Sequence, residues 1–177
     1  MKLRFEGPQA ARTAVLSSGA VPLRPRRLQH DALLDSTQGS LKSRGCALRV
    51  RADGSNTVLT FKGPPQPGTM KTRDEHETPV ADAAALFSVL AGMGFDVWFR
   101  YEKYREEFSA PGVIIAIDET PVGTFVEIEG DEGAILSTAQ ALGRSPSDFI
   151  LQSYRSLFAD GAAAAGLTGR DMLFSAR

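Results

Sequence analysis

The order of elements in this chain predicts an α+β fold, an antiparallel sheet or barrel with helices packed outside it. Three observations point there. The elements run helix, strands, helix, strands, helices, without the regular βαβ alternation of a doubly wound fold. Strand after strand alternates charged and apolar residues with period two. The apolar rows of Leu, Val, Ile and Phe supply the face that outer helices need. No repeat and no linker divides the chain, so residues 1–160 are expected to form one domain. The Ala- and Gly-rich residues 161–177 are expected to be a loosely held tail.

The elements follow in order. Residues 2–5 form a short strand seen from its end. Residues 9–18 read as a helix with Ala11, Ala14, Val15 and Ser18 along one side and Gly19 as its stop. Residues 22–27 are extended and basic, 29–34 another strand, and 35–39 a turn. Residues 47–51 and 57–62 pair as a hairpin around Asp53-Gly54. Pro64, Pro65 and Pro67 make residues 63–68 a loop. Residues 71–78 alternate again. Residues 79–93 form a helix started by Pro79, with Leu86, Val89, Leu90 and Met93 as its core stripe and Gly94 at its end. Residues 97–108, 113–118 and 124–129 are strands, and 134–142 and 146–158 are closing helices.

Composition narrows the function classes. Of the 177 residues 42% are hydrophobic and 23% charged, ordinary for a globular protein with a sizeable core. A formal net charge of -1 gives no whole-molecule field for nucleic acid or anionic membrane, so anion chemistry must come from local clusters. Cys46 is the only cysteine, which excludes an internal disulfide and a multi-cysteine zinc site. No apolar run reaches membrane-spanning length and no signal-peptide pattern opens the chain; a reducing cytoplasm is the expected compartment.

Alternation sorts the charges by face. Arg49 and Arg51 share a face, as do Thr60 and Lys62, and Arg73, Glu75 and Glu77. Tyr101, Lys103, Arg105 and Glu107 share another, and so do Glu127 and Glu129; Asp118 ends an apolar run, and Lys2 and Arg4 oppose Leu3 and Phe5. One solvated sheet face with cross-strand pairs would produce such rows. A closed barrel would instead turn them inward, where Arg and Lys are costly unless an anion fills the space. Carboxylates on other strands could then hold Mg²⁺ or Mn²⁺.

The motifs Leu48-Arg49-Val50-Arg51, Leu59-Thr60-Phe61-Lys62-Gly63-Pro64, Arg73-Asp74-Glu75-His76-Glu77, Arg100-Tyr101-Glu102-Lys103-Tyr104-Arg105 and Ile117-Asp118 followed by Gly123 to Glu129 resemble, in this order, those of the CYTH superfamily. These proteins, also called triphosphate tunnel metalloenzymes, include class IV adenylyl cyclases and thiamine and inorganic triphosphatases. The resemblance implies an eight-stranded antiparallel closed barrel, a tunnel with a charged interior. It implies Lys2, Arg49, Arg51, Lys62, Arg73, Lys103 and Arg105 as phosphate contacts, with Lys103, Arg105 and Glu75 in catalysis. Glu127, Glu129 and Asp118 would hold Mg²⁺ or Mn²⁺. The expected activity is metal-dependent hydrolysis of an inorganic or organic triphosphate. A cyclase, or a non-catalytic binder of triphosphate or polyphosphate, is the alternative, and a homodimer is a further implication. The family opens with an E-x-E-x-K strand, and Lys2 matches its lysine, so both glutamates fall before the first residue. Either the start lies upstream or part of the metal site is lost.

Overall fold

A computed structural model of the chain describes residues 1–66 and 73–175. Eight strands form one sheet: β1 (Lys2–Phe5), β2 (Val21–Ser36), β3 (Ala47–Asp53), β4 (Asn56–Lys62), β5 (Glu75–Val80), β6 (Phe95–Ala110), β7 (Val113–Thr120) and β8 (Gly123–Gly130). Five helices accompany them: α1 (Pro8–Ser17), α2 (Ser40–Ser43), α3 (Ala83–Gly92), α4 (Glu132–Ala141) and α5 (Tyr154–Gly161). The strand order is β1-β8-β7-β6-β2-β3-β4-β5. This is the expected α+β architecture with antiparallel pairing, but the closed barrel is not observed. Among the described residues no pairing joins β1 to β5, which end the order as its two edges. Alternation fixes which face a side chain takes, and it says nothing about whether the last strand returns to the first.

Two compact units divide the chain. The first comprises Met1–Leu28, Lys103–Thr168 and the chain end; the second comprises Gln29–Glu102 and Gly169–Leu173. In the first, β1, β8 and β7 pair in register through Leu3↔Val126 and Ile117↔Val126, with Ile115↔Ile128 beside them. These side chains are 0–2% exposed, and α1 lies against β1, β7 and β8 while α4 lies against β8. Each Ile or Leu buried this way contributes about 1.5–3 kcal/mol. Pro8 opens α1 at its first turn, where no amide partner is lost, and Gly19 follows it with φ +86°. The opposite face of these strands is left for Lys2, Asp118 and Glu127.

The second unit is a meander of β2, β3, β4 and β5 with α3 on one face. Leu34, Val50 and Leu90 form its core, with Leu48, Leu59, Leu86, Phe87, Phe95 and Val97 packed on them. α2 is a single turn wound on Asp35, whose carboxylate accepts from the backbone N–H groups of Ser36, Leu41 and Lys42. Those three bonds outweigh the cost of burial and hold the Asp35 pKa below its ordinary value.

Several element boundaries move. The expected helix over residues 79–93 begins only at Ala83, because Asp82 caps it by accepting from the Ala85 N–H at 2.9 Å. Pro79 instead sits in β5, an edge strand that tolerates a missing donor. The expected strand over 71–78 starts at Glu75; residues 71 and 72 lie outside the described residues, as do 67 and 68 of the proline loop. Residues 146–158 break into a 3₁₀ turn (Pro146–Asp148) and α5, because Ile150 pairs with Lys2 on the free edge of β1.

Candidate functional site

In the first unit the charged face of β1, β6, β7 and β8 gathers one network. Lys103 and Arg105 lie two residues apart on β6 and so share a face. Arg105 stands opposite Asp118 on β7, and Lys2 opposite Glu127 on β8. Asp118 Oδ1 accepts from Arg105 Nε at 2.6 Å. Its Oδ2 accepts from Arg105 Nη2 at 2.6 Å, Lys103 Nζ at 2.8 Å and the Tyr154 hydroxyl at 2.7 Å. Glu127 accepts from Arg105 Nη2 through Oε2, and its Oε1 lies 3.2 Å from Lys2 Nζ. Lys103 is 1% exposed, Arg105 7% and Asp118 0%.

The charges set one another's ionisation. Burial alone would push the Asp118 carboxyl up, but Arg105 and Lys103 outweigh it and hold its pKa below the ordinary range. Burial opposes Glu127 in the same way, and Lys2, Arg105 and Lys103 hold it well below. Burial would lower Arg105, yet Asp118 and Glu127 hold it well above its usual value. The Tyr154 phenol is pushed well up by burial and by the Asp118 and Glu127 charges. These four groups are thus each fixed in one protonation state at neutral pH. Alternation alone left buried cations awaiting an external anion. Here the chain's own carboxylates, supplied across strands, offset the desolvation instead. Three cations (Lys2, Lys103, Arg105) against Asp118 and Glu127 leave one positive charge in excess.

In the second unit a parallel arrangement occupies β2 to β5. Arg51 forks onto Asp31, with Nε donating to Oδ1 at 2.9 Å and Nη2 to Oδ2 at 3.3 Å. Arg49 Nη2 donates to Thr60 Oγ1 at 3.0 Å and Glu77 Oε1 at 3.2 Å, and Thr60 also donates to Glu77 at 2.7 Å. Lys62 meets Glu75 at 2.5 Å at a half-open position. Burial and the Asp31 charge push the Tyr101 phenol up to about 12, against the opposing pull of Arg49 and Arg51. Arg73 lies before β5 rather than in its row, half-buried.

Of the residues singled out from the sequence, Lys2, Lys103, Arg105, Asp118 and Glu127 meet in one network, and Arg49 and Arg51 share Asp31 in another. Glu129 is exposed on β8 and does not join Asp118 and Glu127. Asp118 has both oxygens taken by cations and a hydroxyl, and no three metal-ligating side chains cluster among the described residues. Asp31 and Tyr154 were not singled out. Alternation puts Asp31 on one face with Gln29, but only the β2–β3 register sets it opposite Arg51. Tyr154 follows the broken segment after the 3₁₀ turn, and no periodic pattern marks it.

Comparison with known proteins identifies the family. The CYTH domain pattern matches residues 1–149. A candidate adenylate cyclase of Methanocaldococcus jannaschii is 25% identical over 143 residues, covering 75% of this chain and 82% of that protein. The structure of a candidate adenylate cyclase from Vibrio parahaemolyticus superposes with a TM-score of 0.76 at 22% identity, covering 90% of this chain and 95% of that one. A Hippeastrum protein, described as a candidate adenylyl cyclase with a dominant triphosphatase activity, gives a TM-score of 0.68 at 21% identity, covering 91% and 94%. No described helix is long and apolar enough to cross a membrane. Sequence pattern and fold agree, and the chain belongs to the CYTH domain family.

Proposed function

We propose that the chain binds an inorganic or organic triphosphate on the charged face of β1, β6, β7 and β8 and hydrolyses it. The observation that carries this reading is the convergence of Lys2, Lys103 and Arg105 on one sheet face, two of them almost wholly buried. The triphosphatase activity described for the Hippeastrum protein points the same way. In the proposed reaction water attacks the terminal phosphorus, and the bond to the bridging oxygen breaks. That oxygen leaves with the electron pair as pyrophosphate or an organic diphosphate, and the water's proton goes to solvent. The Arg105 fork and the two ammonium groups neutralise charge as it builds on the leaving oxygens. Glu127, held ionised far below neutral pH, orients Lys2 and Arg105 rather than taking a proton. In the same proposal Arg49, Arg51, Lys62 and Arg73 are further anion contacts in the second unit, with Glu75 orienting a cation or water there. Mg²⁺ or Mn²⁺ enters as the counter-ion that the triphosphate carries.

Phosphate release from inorganic triphosphate, ATP and thiamine triphosphate, with either metal, tests the reading and ranks the substrates. Arg105→Ala is expected to lower kcat/KM by about a hundredfold or more; unchanged turnover in that variant sinks the assignment. A cyclase is the second reading, favoured by the descriptions of the Methanocaldococcus and Vibrio relatives. Cyclic AMP with pyrophosphate, in place of ADP with phosphate, selects it. Affinity without turnover selects a binding protein.

A further inference from the structure

The chain continues past the family match, and its residues Gly169–Leu173 return to the second unit alongside β6. The contact is a short parallel bridge centred on Tyr101. The Glu102 N–H donates to the Met172 carbonyl at 2.9 Å and the Met172 N–H to the Arg100 carbonyl at 2.9 Å, so the segment brackets Tyr101 from both sides. Asp171 adds a third tie, its Oδ1 accepting from the Arg100 N–H at 2.8 Å. Met172 is 0% exposed, which seats the segment as firmly as a core side chain.

The residue so bracketed carries its side chain into the Arg49–Arg51 cluster. Tyr101 is 8% exposed, stacks on Phe99 at 5.8 Å, and its hydroxyl feels the charges of Arg49, Arg51 and Asp31. Thr60 and Glu77 hold Arg49 at Nη2. Its Nε–H is buried and has no hydrogen-bond partner among the described residues; the nearest Asp31 oxygen, at 3.5 Å, is an ion-pair contact only. A buried donor without a partner is costly, and an incoming oxyanion would satisfy it only if the guanidinium is held at the right angle.

We propose that Gly169–Leu173 is a positioning strap that fixes Tyr101, and through it the Arg49 guanidinium, for contact with a phosphate oxygen. The anion in this inference rests on the triphosphate reading; the strap's hold on Tyr101 does not. The strap is built from residues that lie beyond the family match.

The test uses the full chain. Met172→Pro deletes the strap's N–H donor, and Asp171→Ala removes one tie while leaving the backbone bridge, in case the first variant folds poorly. Two quantities are read: calorimetric affinity for inorganic triphosphate, and the titration of the Tyr101 ring signal in tyrosine-labelled protein, assigned with Tyr101→Phe. Met172→Pro is expected to weaken triphosphate binding by about tenfold, the order for one misplaced charge-assisted hydrogen bond, and to raise KM while kcat stays within about twofold. The Tyr101 titration is expected to fall towards the ordinary tyrosine value of about 10. In a Tyr101→Phe background the Met172→Pro effect on affinity should shrink to within about twofold, because the two act through one path. An unmoved Tyr101 titration in both strap variants overturns the proposal, as does full additivity with Tyr101→Phe. If the unmutated chain binds no triphosphate, the triphosphate reading fails, and the Tyr101 titration alone still decides the strap.

Discussion

Asp118→Asn is the substitution whose effect follows most directly from the geometry. Asp118 is fully buried and takes four hydrogen bonds, two from Arg105 and one each from Lys103 and Tyr154. Asparagine keeps the shape but replaces one accepting oxygen with an NH₂ group facing the cations. Two buried positive charges then share Glu127 as their remaining carboxylate in the network. Removing one partner of a buried pair costs about 3–5 kcal/mol, because the other charge stays desolvated and uncompensated. Against a total stability of about 5–15 kcal/mol this leaves the fold marginal. Urea unfolding followed by circular dichroism reads the change as a lower midpoint with an unchanged slope. A loss under about 1 kcal/mol would refute the reasoning, since exposed pairs behave that way and buried ones do not.

Other expectations follow from the same contacts. Tyr154→Phe removes one hydrogen bond to a charged acceptor and should cost about 1.5–3 kcal/mol in the same urea assay. The folded pKa values of Asp118 and Glu127 lie below their unfolded values, so each contributes stability that is present above about pH 4 and lost as the pH falls through the folded value. Acid titration of stability should therefore show a steep loss below about pH 4 that is shallower in Asp118→Asn. Asp82→Ala strips the α3 cap and should lower stability by about 1 kcal/mol, measured by thermal unfolding. Glu129→Gln, on an exposed position, should change stability by no more than about 0.5 kcal/mol, and phosphate release from this variant reads whether the carboxylate has a role in turnover.

Alternation made the faces legible. It puts Arg49 with Arg51 and Lys103 with Arg105 from the residue order alone, since side-chain direction along a strand is a local property. Register is not local, and so the partners stayed hidden: Asp31 for Arg51 and Asp118 for Arg105 are fixed by which strands pair and with what offset. The same limit explains the barrel, because closure depends on how the sheet coils beyond any one strand. The helix at residues 79–93 was misplaced at its start because Pro79 and Asp82 are both helix-opening signals. The carboxylate cap won, and the proline went to an edge strand. Met172 reaches its site from a C-terminal segment whose Ala-rich composition suggested a loose tail, and Tyr154 from the segment just before it. Their contacts are long-range and leave no periodic trace.

The central claim is that Lys2, Lys103 and Arg105 bind a triphosphate. Calorimetric titration of the chain and of Lys103→Met with inorganic triphosphate tests it most directly, because binding precedes any choice between hydrolysis and cyclisation. Lys103→Met removes a charge while keeping an unbranched side chain, and urea unfolding of the variant confirms that it is folded at the assay temperature. Saturable binding by the unmutated chain is expected, weakening by about tenfold or more in Lys103→Met and falling with rising salt. No binding by the unmutated chain, or equal affinity in a folded Lys103→Met, would contradict it.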